Sequence, residues 1–320
     1  MAGSKKRGRF LQPNDYPPLL IASDQSAVRL ERNYFRLLET ELILFLGASL
    51  VSILTAFSGI GFHRPLAIIA AILVSAAFVV LWCMRKLRLE RKWFQYRAVT
   101  ESLKTATWRY MMQTPPFDSV GDKEDIDQKF MTTVRAIQLD RVPAEAQRHE
   151  AQGWQITEFM SSVRKLSLEQ KRDCYVHDRL DDQERWYEGK SAANRQSSNR
   201  WSSMVLATQG LAIALAILRV GYPQMPLSIV SFLMTGASSM LAWTQARRHE
   251  DLAEPYAMAS QELKELRALS GGVKDLESLH RFVFDVEETI SREHTKWLAR
   301  RSIDNLKGRT AGLRPNETSR

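Results

Sequence analysis

Residues 175–190, YVHDRLDDQERWYEGK, set acids, bases and aromatic rings side by side, and two chemistries suit such a stretch. Asp178, Asp181, Asp182 and Glu184 beside His177 are residue types that ligate metal ions. Arg179 and Arg185 interleave them as on a solvated, salt-bridged helix face, so no metal site is assigned. Arg179, Arg185, Trp186, Tyr187 and Lys190 suit another task. Cations pair with phosphates and aromatic faces stack on bases, which makes these residues the candidate binding set for an anionic nucleotide or oligonucleotide. Equally open is that Trp186 and Tyr187 are interhelical core.

Catalysis has no comparable candidate. None of the six histidines forms an HExxH pair or a Cys/His metal spacing, and there is no phosphate-cradling glycine loop or GxSxG elbow. No catalytic residue and no cofactor is assigned, and an enzyme is the least supported class. A third pattern is polar but not catalytic. Ser231, Thr235 and Ser239 repeat at i, i+4, i+8, and Gln209 precedes them in another apolar run. Such a stripe lines an ion pathway in one reading and packs helix on helix through small residues in the other.

The elements that must position these residues are legible in the hydropathy. Residues 42–62 and 65–84 carry no charge, and 201–218 and 223–246 repeat the arrangement. A hydrocarbon core of about 30 Å needs roughly 20 helical residues, so the chain is expected to cross a membrane four times, as two hairpins. Buried core helices are the alternative, and the charged borders of each run argue against it. Arg29, Arg32 and Arg36 precede the first run. Arg85, Lys86, Arg88, Arg91 and Lys92 follow the second, and Arg195, Arg200, Arg247 and Arg248 bracket the second hairpin. Each hairpin turn has one such residue, Arg64 or Arg219, so the positive-inside rule places both termini and the central segment in the cytoplasm. Trp82, Trp201 and Trp243 then fall at the inner interface. The net charge of +9 comes largely from these flanks and is expected to attract anionic lipid. Two cysteines, one in a span and one in the cytoplasmic middle, do not suggest a disulfide.

The chain also repeats itself. YRAVTESLK at 96–104 returns as YAMASQELK at 256–264, with Tyr96, Leu103 and Lys104 matched by Tyr256, Leu263 and Lys264. Each phrase follows a hairpin, which reads as an internal duplication. No Gly or Pro interrupts 66–114, and a helix starting near Pro226 is expected to continue to Gly271-Gly272, so each trailing span is expected to run on as one long stalk, the first ending at Pro115-Pro116. Amphipathic helices follow. Ile126, Phe130, Val134 and Ile137 mark one; Leu276, Leu279, Val283, Val286, Ile290 and Trp297 mark the other, with Glu293 breaking the pattern. The expected fold is an all-α membrane protein, two transmembrane helical hairpins with long helices extending into a cytoplasmic helical bundle. Its parts are a basic, Pro-containing segment at 1–27, a first two-transmembrane unit at 28–145, a second at 146–306 and a disordered tail at 307–320.

Trp93, Tyr96, Arg97, Ala98, Glu101, Leu103, Lys104, Trp108, Arg109 and Tyr110 after the first hairpin, and Tyr175, Arg179, Gln183, Trp186, Tyr187 and Lys190 before the second, resemble the SLATT family of two-transmembrane effector domains. The resemblance covers most of 28–305, as two units in tandem. It implies a membrane effector of a bacterial anti-phage or conflict system that depolarises or permeabilises the cell when a nucleotide-derived signal changes, with a signal-synthesising enzyme as a partner. Four spans with so few polar groups enclose no water-filled pore alone, so a channel requires a homo-oligomer, for instance a cyclic tetramer, lined first by the fourth span. Two other functions stay open: a four-span scaffold holding a cytoplasmic partner, and a membrane-embedded enzyme.

Overall fold

The computed structural model of the 320-residue chain describes residues 12–57, 62–118, 123–141 and 153–292. Among them there is no strand. The helices are α1 (Pro18–Phe57), α2 (His63–Leu87), α3 (Leu89–Met111), α4 (Lys123–Arg141), α5 (Glu158–Arg164), α6 (Leu168–Tyr175), α7 (Asp181–Gly221), α8 (Leu227–Arg247), α9 (His249–Leu269) and α10, residues 276–292. A short π-helical stretch, Val176–Leu180, joins α6 to α7. Four of the helical runs are long and apolar enough to cross a membrane, which makes this a multi-pass membrane protein in contact with lipid.

Two compact units result. An apolar unit comprises Gln25–Phe94 and Gly189–Glu254, and a polar unit comprises the remainder. In the apolar unit the spans pack through small side chains, with Ala77, Ala212 and Ala237 fully buried. A Cβ added at Gly47 would touch Leu73 at 3.5 Å, and one at Gly236 would meet Leu46 at 3.9 Å. Small residues allow the close helix approach that gives packing its strength inside lipid. At one end an aromatic group forms, Phe35 with Trp93 at 5.7 Å and with Trp243 at 5.9 Å, Trp243 in turn with Trp201 at 6.5 Å. The Arg247 guanidinium lies 3.7 Å from the Phe35 ring centroid. Aromatic rings beside cations favour the boundary between hydrocarbon and headgroups.

Each leading helix, α1 and α7, is unbroken, whereas each trailing helix is jointed. Arg88 (φ 49°) separates α2 from α3, and Arg248 (φ 55°) separates α8 from α9. This corrects the expectation of continuous stalks. A single left-handed residue suffices to interrupt the helix, and the ladder resumes at once through Lys92 N–H to the Arg88 carbonyl and Leu252 N–H to the Arg248 carbonyl, both 3.1 Å. Arg88 and Arg248 stand 160 residues apart, the interval that also separates Tyr96 from Tyr256 and Leu103 from Leu263. The joint therefore belongs to the repeat. The fourth span starts later than the sequence suggests, at Leu227, because the chain turns at 222–226 with Arg219 Nε donating to the Met225 carbonyl at 2.9 Å. The first reaches Phe57, its expected end at 62 following residues outside those described; the basic segment at 1–11, Glu293, Trp297 and the tail at 307–320 also lie outside them.

In the polar unit the amphipathic helices pack on their own chain. Ile126, Phe130 and Val134 of α4 are buried, as are Leu279, Val283, Val286 and Ile290 of α10, while Leu276 is exposed. Ser167 caps α6 through a reciprocal pair with Gln170, which sets α6 apart from α5.

Candidate functional site

Of the five binding candidates, the one with the strongest geometry is turned inward. Arg179 is 2% exposed, on the π-helical stretch, and its guanidinium grips Glu287 of α10 as a fork: Nε to Oε1 at 2.9 Å and Nη2 to Oε2 at 2.9 Å. Glu287 is fully buried and accepts two further hydrogen bonds, from Thr105 of α3 at 2.7 Å and from the Tyr175 hydroxyl of α6 at 3.1 Å. Every lone-pair site of the carboxylate is thus engaged. Burial pushes its carboxyl pKa up, but the charge and hydrogen bonds of Arg179, helped by Thr105 and Tyr175, outweigh burial and hold it below the usual range. Trp108 packs edge-on against Tyr175 at 5.5 Å and donates from Nε1 to Tyr16 at 3.3 Å. This cluster ties four separate helical segments together, and Arg179 is spent on it.

The other four candidates follow on α7. Arg185 and Lys190 are exposed; Arg185 Nε donates to the Asp181 carbonyl at 3.0 Å. Trp186 is half-buried and meets Tyr187 at 5.1 Å and Tyr256 of α9 at 5.4 Å, with the Arg97 guanidinium of α3 at 5.9 Å from its ring. Tyr187 is buried against Tyr256 at 5.6 Å. The structure therefore gathers Trp186 and Tyr187 with two residues outside the candidate set, Arg97 from the family resemblance and Tyr256 from the matched positions of the repeat. The acidic residues disperse: Asp178 meets His177 at 2.8 Å, and Asp181 meets Arg267 at 2.7 Å.

In the apolar unit the stripe of α8 divides. Ser231 is exposed and its hydroxyl donates to the Leu227 carbonyl at 3.3 Å; Thr235 is half-buried and donates to the Ser231 carbonyl at 2.8 Å; Ser239 is buried. Hydroxyls satisfied by the preceding turn are compatible with lipid as well as with water. Gln209 of α7 is half-buried.

Two family models match the chain. Residues 17–172 match SMODS and SLOG-associating 2TM effector domain 3, and residues 175–297 match SMODS and SLOG-associating 2TM effector domain 1. The chain carries two SLATT domains in tandem. SLATT domains are two-transmembrane effector domains associated with conflict systems. Neither a curated protein nor a solved structure matches the chain. The Glu287 cluster draws on both SLATT domains, since Thr105 and Trp108 fall in the first and Tyr175, Arg179 and Glu287 in the second.

Proposed function

We propose that this tandem SLATT protein is the membrane effector of a bacterial anti-phage or conflict system, whose chains assemble into an ion-conducting pore gated by an anionic nucleotide or oligonucleotide taken up by the polar unit. The observation that carries the reading is the continuity of α1 and α7. Each starts among polar-unit residues and ends in a span without a break, so a displacement imposed at the charged end is imposed on the apolar end as well. Buried alanines hold the spans of one chain together, which supports a conducting path between chains rather than within one. Ser231, Thr235, Ser239 and Gln209 are the proposed lining. Arg185, Lys190 and the half-buried Trp186 offer the exposed contacts for the signal, while buried Arg179 and Tyr187 position them. Both termini and residues 85–200 are proposed to be cytoplasmic, at the inner membrane.

The test is ion flux from liposomes containing purified full-length protein, with and without cyclic dinucleotides and short oligonucleotides. Flux that a nucleotide switches on or off supports the proposal. Folded protein that never conducts under any of these would sink it in favour of a membrane scaffold.

A further inference from the structure

Lys171 of α6 is a buried ion whose surroundings do not account for it. Its side chain is only 4% exposed, yet among the described residues the one acceptor facing its ammonium is the Gln113 side-chain oxygen, a neutral amide. A lysine this buried is ordinarily paired with a carboxylate, and its ammonium has three protons to donate. Arg164, at the end of α5, is the cation that acts on it. Arg164 has its own explanation: it caps the end of α3 by donating to the Tyr110 carbonyl and lies over the Tyr110 ring at 4.4 Å. Asp127, the carboxylate that acts on Arg164, is itself engaged by the Tyr110 hydroxyl at 2.5 Å. Gln113 sits just after α3 at φ 58°, a left-handed conformation rare for glutamine, and is half-buried, so its side chain reaches Lys171 from a partly exposed position.

We propose that Lys171, with Arg164 adding attraction beside it, receives a phosphate-type anion, and that the Gln113 carboxamide oxygen holds the place a phosphate oxygen takes on binding. A charged acceptor satisfies a buried ammonium better than an amide does, and Gln113 swings outward to admit it. Burial first and then Arg164 push the Lys171 pKa down to about 8, so the ammonium is charged at neutral pH and anion binding weakens as pH rises past that value. This site deepens the ligand-gated reading and rests on it for the ligand's role, although not for binding itself.

Full-length protein in neutral detergent is titrated with pyrophosphate, and in parallel with a short-chain phosphatidic acid, while thermal unfolding is followed. Saturable protection is expected in the natural protein and in the surface control Lys264→Gln. Lys171→Met is expected to weaken it about tenfold or more, the loss of one charged hydrogen bond. Gln113→Ala removes the internal competitor and is expected to tighten it. Protection by pyrophosphate assigns a soluble phosphate ester; protection by the lipid alone assigns a headgroup. No protection by either ligand, or protection that Lys171→Met retains in full, overturns the site. If Lys171→Met does not fold, Gln113→Ala decides: tighter binding supports the site and unchanged binding overturns it. Flux is a separate measurement, so a protein that binds pyrophosphate but never conducts refutes gating alone.

Discussion

Replacing Glu287 by Gln keeps the shape of the buried cluster and removes its negative charge. Arg179 is then left as an uncompensated guanidinium at 2% exposure, and the new amide NH₂ faces donors where the carboxylate accepted four hydrogen bonds. Breaking a buried pair from one side costs about 3–5 kcal/mol. For a polar unit of this size that corresponds to a fall of roughly 10 °C in Tm. Removing both charges, as Arg179→Met with Glu287→Leu, is expected to recover most of the loss, because no uncompensated charge is then left buried. The assay is urea and thermal unfolding of full-length protein in detergent, run as a double-mutant cycle. The pH dependence carries a sign. The carboxyl of Glu287 is depressed in the fold, so its contribution is fully present above the ordinary carboxylate pKa of about 4.3 and is lost as pH falls through the lower folded value. Glu287→Gln should therefore flatten the acid side of the stability curve. A variant within about 1 kcal/mol of the natural protein, or a double variant no better than the single, would refute the reasoning.

Thr235→Leu, measured for flux and stability on one preparation, separates the two roles of the α8 stripe: lower conductance per folded oligomer marks a pathway, and lower Tm with unchanged conductance marks packing. Arg88→Gly and Arg248→Gly are expected to stabilise by about 0.5–1 kcal/mol each, since glycine adopts the left-handed joint without a Cβ penalty; Ala at either position relieves nothing, which thermal unfolding would show. In a cysteine-free background, His63→Cys is expected to react with an impermeant thiol reagent added to whole cells and Lys165→Cys to be protected; the reverse pattern would invert the proposed topology.

The spans, the duplication and the ends of the long helices were legible because hydropathy, Pro and Gly act locally. Pro115-Pro116 and Gly271-Gly272 do follow the ends of α3 and α9 within a few residues. The joints at Arg88 and Arg248 were not legible, since arginine is a good helix former and carries no signal for a left-handed backbone. Arg179 stands in a run of charges that reads as a solvated face. Its partner Glu287 lies 108 residues away, beyond the reach of any periodicity. The burial of Lys171 is illegible for the same reason: a lysine between a glutamine and an arginine gives no hint of it. Arg97 and Tyr256 could have been found, because the repeat had already singled out both stretches.

The Glu287 cluster also fixes a stoichiometry. Its carboxylate takes hydrogen bonds from Thr105 of one SLATT domain and from Tyr175 and Arg179 of the other, so the two unlike domains are held one to one, a heterodimer written into a single polypeptide. Any ring built from such chains has twice as many hairpins as subunits, one of each kind for every chain. A closed ring of this sort has the rotational order of its chains and not of its hairpins, so a substitution in one domain marks one hairpin of every chain and leaves the other as an internal reference.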